Sequence, residues 1–458
     1  MGQHRPDKEH YKYIIVGAGP TGLGAAYRLV ELGERDLIVL EKNPYPGGLS
    51  ASFQDKKGFT WDLGGHVIFS HYPYFDKLLE DLLQGQYLTH QRKAFIRIGD
   101  TWVPYPFQNN IRYLPPAQRW ECIQGLLHLP TQNGEPKNFR EWILRVFGEG
   151  IARYFMLPYN FKVWAFPPDT MDWRWIGERV SVVDLERVLK NVILEQDDVS
   201  WGPNNTFRFP LSGGTGEIFR RLAARIHEFI TYSCGLLFVH AGEKLLYTTT
   251  GRALSYDYLL NTTPLDRFVL EALKDCPDGI RQAAEKLEHN GVHVVGIGID
   301  QPGDNDKCWM YFPESNCPFY RVTNFHNYSP KNTPKEGRQN ALMGEISFSP
   351  HKPYYEKTAV EETIRGLINT GLIRNGDTSF IVSHWHATLD YAYPIPNKER
   401  DTALGIIHPW LESHCIFSRG RFGGWKYEVG NMDHSVMQGV EWAEKMLLGK
   451  KETVYVYS

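Results

Sequence analysis

Several things are missing from this chain. No apolar run approaches the ~18 residues that a membrane-spanning helix needs. The opening MGQHRPDKEH has no apolar core of the kind a secretory signal carries, and Pro6 stands where a myristoylation signal wants Ser or Thr. No two of the six cysteines (Cys122, Cys234, Cys276, Cys308, Cys317, Cys415) form a Cys-x-x-Cys pair, which argues against structural zinc. A chain of 458 residues also has no need of disulfide staples. The net charge is only −3, so no global field favours nucleic acid or an anionic membrane. Internal repeats and low-complexity tracts are absent as well. The expectation is a soluble cytoplasmic protein with reduced thiols and no metal.

What is present is a large globular composition, 42% hydrophobic and 22% charged, long enough for two or three structural units. The aromatic share of 14% is high and suits either a packed core or an aromatic-walled site. The chain opens as strand, tight turn, helix, strand: Tyr13 to Val16, then Gly17-Ala18-Gly19-Pro20-Thr21-Gly22, a helical pattern to Leu32, and Asp36 to Leu40. Gly17, Gly19 and Gly22 fit the dinucleotide fingerprint. The first permits the turn, the second admits a pyrophosphate to the backbone, and the third lets helix and strand pack closely. The helix N-terminus then offers its free N–H groups to phosphate. Glu41 ends the second strand where a carboxylate would hold a ribose hydroxyl.

Two further glycine pairs point to FAD rather than NAD. Gly47-Gly48-Leu49 follows the acidic residue, and Gly64-Gly65-His66 comes soon after; bare backbone at both places suits a long flat ligand. Gly430, Asn431 and Ser435, at the start of a last helix from about 435 to 448, would aim a second N-terminus at the flavin or its ribityl chain. Taken singly, each pair is an ordinary turn; the three in order carry the argument.

Between 108 and 200 the pattern turns helical, with Trp120, Ile123, Leu126 and Leu127, then Trp142, Ile143 and Val146, at helical spacing. Strand-like runs return at 236–239, 244–247, 258–261 and 292–299. The expected fold is α/β: a Rossmann-like FAD-binding domain with an inserted helical domain and an antiparallel-sheet domain. The nucleotide domain takes 1–88 with 205–265 and 385–458, the helical domain 105–204, and the sheet domain 89–104 with 266–384. His384 and His386 alternate on a strand; no further ligands cluster with them in sequence, so they are read as strand residues.

The runs GGHVIFSHYPYFD, THQR, WVPYPFQNN, PYNFKVWAFP, GERV, WGPN, FRFP, KCWMYFPE, NCPFYR, YPIP and SRGRFGGWKYEVGNMDHS, in this order along nearly the whole chain, resemble the eukaryotic-type UDP-galactopyranose mutases. The resemblance implies an FAD-dependent isomerase (an intramolecular transferase) that interconverts UDP-galactose, in its pyranose form, and UDP-galactofuranose for cell-surface glycans. FAD acts reduced, with NADPH or NADH as external reductant. Its N5 attacks the anomeric carbon and displaces UDP, and there is no net redox change.

By the same resemblance, Arg321 and Arg421 clamp the departing pyrophosphate, as bidentate guanidinium groups do well. Tyr393 and Tyr427 donate to the same phosphates, and Arg179 belongs to a loop that closes over substrate. Tyr105, Gln108, Phe155, Asn160 and Trp164 would read uracil, although spacing alone would make Phe155 and Trp164 helical core. Asn204, Trp309 and Tyr311 fall around the sugar and phosphates. His66 would lie beside the flavin, and Arg92 near its isoalloxazine end. The chain lacks the C-terminal extension of longer fungal members, so their assembly does not carry over and the oligomeric state stays open. The alternatives are a mutase acting on another UDP-sugar, an FAD-dependent oxidoreductase of the amine-oxidase type, and a silent FAD- or UDP-sugar-binding protein. Arg321, Arg421, Tyr393 and Tyr427 speak against the amine oxidase, which has no reason to carry them, and against the silent protein, which only an assay excludes.

Overall fold

The apolar run at the start of the chain becomes the strand Lys8–Val16, parallel to Leu37–Leu40 on one side and to Ala253–Asn261 on the other. Its residues Ile14, Ile15 and Val16 are buried on both faces, as a strand covered by helices from two sides requires. The structure is a computed structural model that describes residues 8–130, 134–177, 180, 182–199, 205–373 and 378–457. The sheet runs Leu236–His240, Leu245–Thr248, Ala253–Asn261, Lys8–Val16, Leu37–Leu40, Ile230–Thr231, with Ile416–Ser418 added against Ala253–Asn261. Ile15 packs with the first helix (Pro20–Glu31) and the last (Met432–Leu448), whereas Ile14 and Val16 face Leu404, Ile407 and Leu411 on the other side.

The first and last helices touch backbone to backbone. A Cβ on Gly24 would stand 2.6 Å from the Val436 carbonyl oxygen, and one on Gly439 would overlap the carbonyl of Thr21. This contact brings two helix N-termini to the same place above the sheet.

A second sheet runs Ile381–Pro394, His289–Ile299, Asn340–Phe348, Arg321–Asn324, Trp309–Tyr311, Ala94–Ile98, Thr101–Pro104, antiparallel apart from Trp309–Tyr311 against Ala94–Ile98. The helices Pro116–Leu127, Phe139–Ile151, Leu157–Trp164 and Leu185–Ile193 form the insert. Its Phe155, Trp164 and Trp175 share one core with Val292, Trp309 and Tyr311 of the second sheet. Among the described residues no helix is long and apolar enough to cross a membrane.

Three sequence expectations shift. Residues 385–394, expected with the nucleotide domain, continue the strand Ile381–Pro394, which pairs with His289–Ile299 in the second sheet. Residues 266–287, expected with the sheet domain, send Phe268, Val269, Leu273, Ile280, Ala284 and Leu287 into the core beneath the first sheet. The last helix starts at Met432, not near 435, with Asn431 at the N-cap position in extended backbone and Asp433 in the first turn, where the helix dipole favours an acidic side chain. Ser435 therefore lies within the first turn, its N–H bonded to the Asn431 carbonyl at 2.8 Å.

Candidate active site

Gly17 closes the turn after the first strand at φ +105, a conformation that glycine adopts without cost. Its N–H bonds the Leu40 carbonyl at 2.8 Å, which ties the turn to the second strand. Gly22 does not face open space: a Cβ there would overlap the Gly17 carbonyl oxygen, so its place is in helix–strand packing. The second glycine turn rests on the first, for a Cβ on Gly48 would stand 3.2 Å from the Gly19 Cα. Glu41 is 4% exposed. Its carboxylate accepts from Ala18 N–H at 2.7 Å and from the Asn43 backbone and side-chain N–H groups at 2.8 and 2.9 Å. That cradle fixes its direction at the lip of a cavity.

The cavity holds about 1410 Å³ and runs from Gly17, Gly19, Glu41, Gly48 and Leu49, past Gly65, His66, Gly430, Asn431 and Ser435, to the aromatic insert. A single small ligand commonly occupies ~300–1,000 Å³. The excess leaves room for two ligands end to end, a dinucleotide along the glycine turns and a second molecule against the insert. The turn of Gly64 to His66 also lines the cavity and is tied to the second sheet, the Gly65 N–H bonding Glu345 at 2.9 Å.

The far end gathers residues from the helical insert, the second sheet and the segment before the last helix. Arg321 begins a strand of the second sheet and points at Glu345 on the neighbouring strand, with Nε to Oε1 and Nη2 to Oε2 both at 2.7 Å. Burial lowers the Arg321 pKa and the Glu345 charge outweighs it, so the guanidinium stays protonated. Burial likewise raises Glu345, and Arg321 overrides it, holding the carboxyl below its ordinary value. Arg421 lies 5.4 Å from the Tyr393 ring centroid and 5.8 Å from that of Tyr427, in cation–π range. Beside Tyr427, Glu428 is fixed by both arms of buried Arg400 at 2.9 and 2.7 Å.

Trp164 closes the group, edge-on to Tyr427 at 4.8 Å and to Tyr393 at 5.8 Å. Burial pushes the Tyr393 hydroxyl above its ordinary pKa, with Arg321 acting against that, so it remains a donor.

Tyr105, Gln108, Phe155, Asn160, Trp309 and Tyr311 all reach the same cavity. Phe155 and Trp164 are 4% and 2% exposed, so they serve as core while forming the wall. Phe155 stacks on Phe107 at 4.9 Å and on Tyr159 at 5.0 Å. Arg92 sits 4.8 Å from the Trp309 ring and 5.2 Å from Tyr105, with Nη2 3.3 Å from the Tyr311 hydroxyl. It lies within the aromatic wall. His66 is half-buried there; burial, with Arg421 and Arg321 adding and Glu345 opposing, brings its imidazole down to about 4. Arg179 and Asn204 lie outside the described residues.

Sequence reasoning passed over Tyr159, Trp175, Tyr320 and Glu345, all of which line the cavity. For Glu345 there was a signal, a lone carboxylate in the apolar run Ala341 to Phe348. It also passed over His71, Asp433 and His434, whose ligand-type atoms lie within 4.8 Å of one another at the cavity edge. His384 is exposed and His386 approaches His293 at 3.2 Å, both within the strand Ile381–Pro394.

The flavin containing amine oxidoreductase family matches residues 20–402. A crystal structure of reduced UDP-galactopyranose mutase superposes with a TM-score of 0.93 at 45% identity, covering 96% of each chain. Two other structures share the fold alone. A fatty acid isomerase from P. acnes has a TM-score of 0.64 at 15% identity, over 95% of this chain and 99% of that one. A putrescine oxidase has 0.62 at 14%, over 96% and 100%. Among curated proteins, prolycopene isomerase 2 of an Oncidium hybrid cultivar is 46% identical over 63 residues, 14% of this chain. The matched segment spans about 10% of that relative's length.

Proposed function

The chain belongs to the flavin containing amine oxidoreductases and, within them, to the UDP-galactopyranose mutases, and from that membership we propose that it interconverts UDP-galactopyranose and UDP-galactofuranose. The observation that carries this reading is the convergence of Arg321, Arg421, Tyr393, Tyr427 and Trp164 on one end of a cavity whose other end is a dinucleotide turn. An amine has no use for two guanidinium groups beside two phenols, whereas a diphosphate does.

FAD fits the glycine turns, with its pyrophosphate at Gly17 and Gly19 on the first helix N-terminus and its ribose at Glu41. Gly48, Leu49, Gly65, His66, Gly430, Asn431 and Ser435 line the rest of its path. When bound and reduced, it supplies the nucleophile that displaces UDP from the sugar. Everything else falls to the chain. Arg321 and Arg421 stabilise the charge that develops on the departing diphosphate, and being prearranged they need no reorganisation. The hydroxyls of Tyr393 and Tyr427 donate to the same oxygens. Tyr105, Gln108, Phe155, Asn160 and Trp164 hold the uracil, with Tyr159 as a further aromatic surface. Trp309 and Tyr311 flank the sugar and phosphates, and neutral His66 faces the flavin.

A reduced nicotinamide, NADPH or NADH, loads the flavin. A nucleotide-binding part, a helical part and a second-sheet part then meet at this one cavity. We place the protein in the cytoplasm, a setting that its six unpaired thiols suit.

The test is a chromatographic assay of the purified FAD-bound chain with UDP-galactofuranose, with and without dithionite. Conversion to UDP-galactopyranose only in the reduced sample is expected. No conversion, with UDP-galactose still bound, would move the assignment to another UDP-sugar. No conversion and no UDP binding would hand it to amine-oxidase chemistry.

A further inference from the structure

Glu345 is a carboxylate that neither phosphate binding nor flavin chemistry requires, yet it sits 2% exposed in the cavity wall. Four donors converge on it. Arg321 supplies two, each at 2.7 Å, the Tyr320 hydroxyl bonds Oε2 at 2.7 Å, and the Gly65 N–H bonds Oε1 at 2.9 Å. Tyr320 in turn lies 3.3 Å from the Tyr393 hydroxyl. The turn it grips has no slack. Gly64 holds φ +141, and a Cβ on Gly65 would stand 2.5 Å from Thr323 Oγ1, 3.0 Å from Glu345 Oε1 and 3.1 Å from Trp309 Nε1.

A buried ion pair is a costly way to anchor one strand to another, and apolar residues of similar size would often serve as well. A carboxylate offers what they do not: about four acceptor sites, enough to bind a guanidinium on one side and a backbone N–H on the other. We propose that Glu345 is a positioning residue that fixes the phosphate-facing arginine and the flavin-facing turn of Gly64 to His66 as one unit. The angle of Arg321 and the distance of the turn from the flavin are then set by the same group. Its negative charge also lies next to the turn that faces the flavin. The inference rests on the proposed function for the identities of the diphosphate and the flavin.

The test compares FAD-loaded wild type, Glu345→Gln and Glu345→Asp. Glutamine keeps the shape but has one acceptor oxygen for two sets of donors, and no charge. We expect kcat to fall about 100-fold or more, as for lost transition-state positioning. The Kd for UDP should stay within about tenfold, because Arg421 and the uracil wall remain. The flavin reduction potential should rise, since a negative charge that opposed reduction is gone. Aspartate should restore the potential and not the turnover. A glutamine variant whose kcat stays within threefold would overturn the inference, as would one that loses kcat with its potential unchanged. Should the glutamine variant fail to retain FAD, the aspartate variant decides: full turnover there overturns the inference, and a wild-type potential with kcat down at least tenfold supports it. The potential and UDP titrations need no sugar turnover. A wild type that binds UDP without interconverting sugars would therefore count against the proposed function, while an unchanged flavin potential in Glu345→Gln would still overturn the inference by itself.

Discussion

Arg321 and Arg421 face the same cavity but are held by different means, and this decides which substitutions are informative. Arg321 is locked to a buried carboxylate, so alanine there removes a phosphate ligand and also strands Glu345. Stranding a buried charge costs ~3–5 kcal/mol of stability. Denaturant unfolding of Arg321→Ala should show a loss of that order, with a fall in turnover that cannot be assigned to chemistry alone. Arg421 leans on the faces of Tyr393 and Tyr427. Arg421→Ala should cost about 100-fold or more in kcat, corresponding to ~2–4 kcal/mol, while the ratio of flavin to protein absorbance stays unchanged. Arg421→Lys should recover only part of that, because a point charge does not replace a planar fork. Turnover within threefold of wild type in Arg421→Ala would remove it from the clamp.

His66 gives a pH test with a definite sign. Its folded pKa, about 4, lies below the unfolded value of 6.5. The stability it contributes is therefore present above about pH 6.5 and lost as pH falls through about 4. Melting temperature followed from pH 8 to pH 4 should show this acid-side loss in the wild type and a flatter profile in His66→Gln. The cause is burial beside two arginines, and no motif states that. The sequence could place His66 after two glycines but not show what surrounded it.

At the scale of elements, the pairing of the first and last helices matters as much as the fingerprint. Gly24 and Gly439 let two backbones touch, and that contact puts both N-termini at the cavity. Gly439→Ala would wedge them apart. Overpacking of this kind costs about 1–3 kcal/mol. Chemical denaturation should register that loss, and size-exclusion chromatography should show the variant shedding flavin; wild-type stability with full flavin would contradict the role given to the pair. Gly17, Gly19 and Gly22 were legible in the sequence because their spacing lies within one βαβ unit, where Gly17 and Gly22 answer local steric demands. Gly439 was not, since its demand comes from a helix more than 400 residues away in sequence. The long strand Ile381–Pro394 was divided after His384, near its start, for a similar reason. Its partner, His289–Ile299, lies nearly 100 residues earlier, and nothing local marks which sheet it joins.

At the scale of the whole molecule, three parts of the fold that share no local pattern converge on one cavity. The helical insert supplies Trp164 and Tyr159, the second sheet Arg321 and Tyr393, and the segment before the last helix Arg421 and Tyr427. Composition and periodicity reach the nucleotide-binding half unaided. The other half became readable only through its resemblance to a family, since arginines and tyrosines scattered through a sequence look like ordinary surface and core. Glu345 escaped both routes, and only strand register shows it opposite Arg321.

The central claim is that this cavity lets UDP leave the anomeric carbon and return to it. It is tested most directly by positional isotope exchange, with heavy oxygen placed in the bridge between the sugar and the β-phosphorus of UDP-galactose. Incubated with the reduced protein, the label should scramble into the non-bridging β-phosphate positions, because the freed diphosphate rotates before it recombines. The oxidised protein should show no scrambling. Interconversion of the two sugar rings with the label still in the bridge would contradict the account.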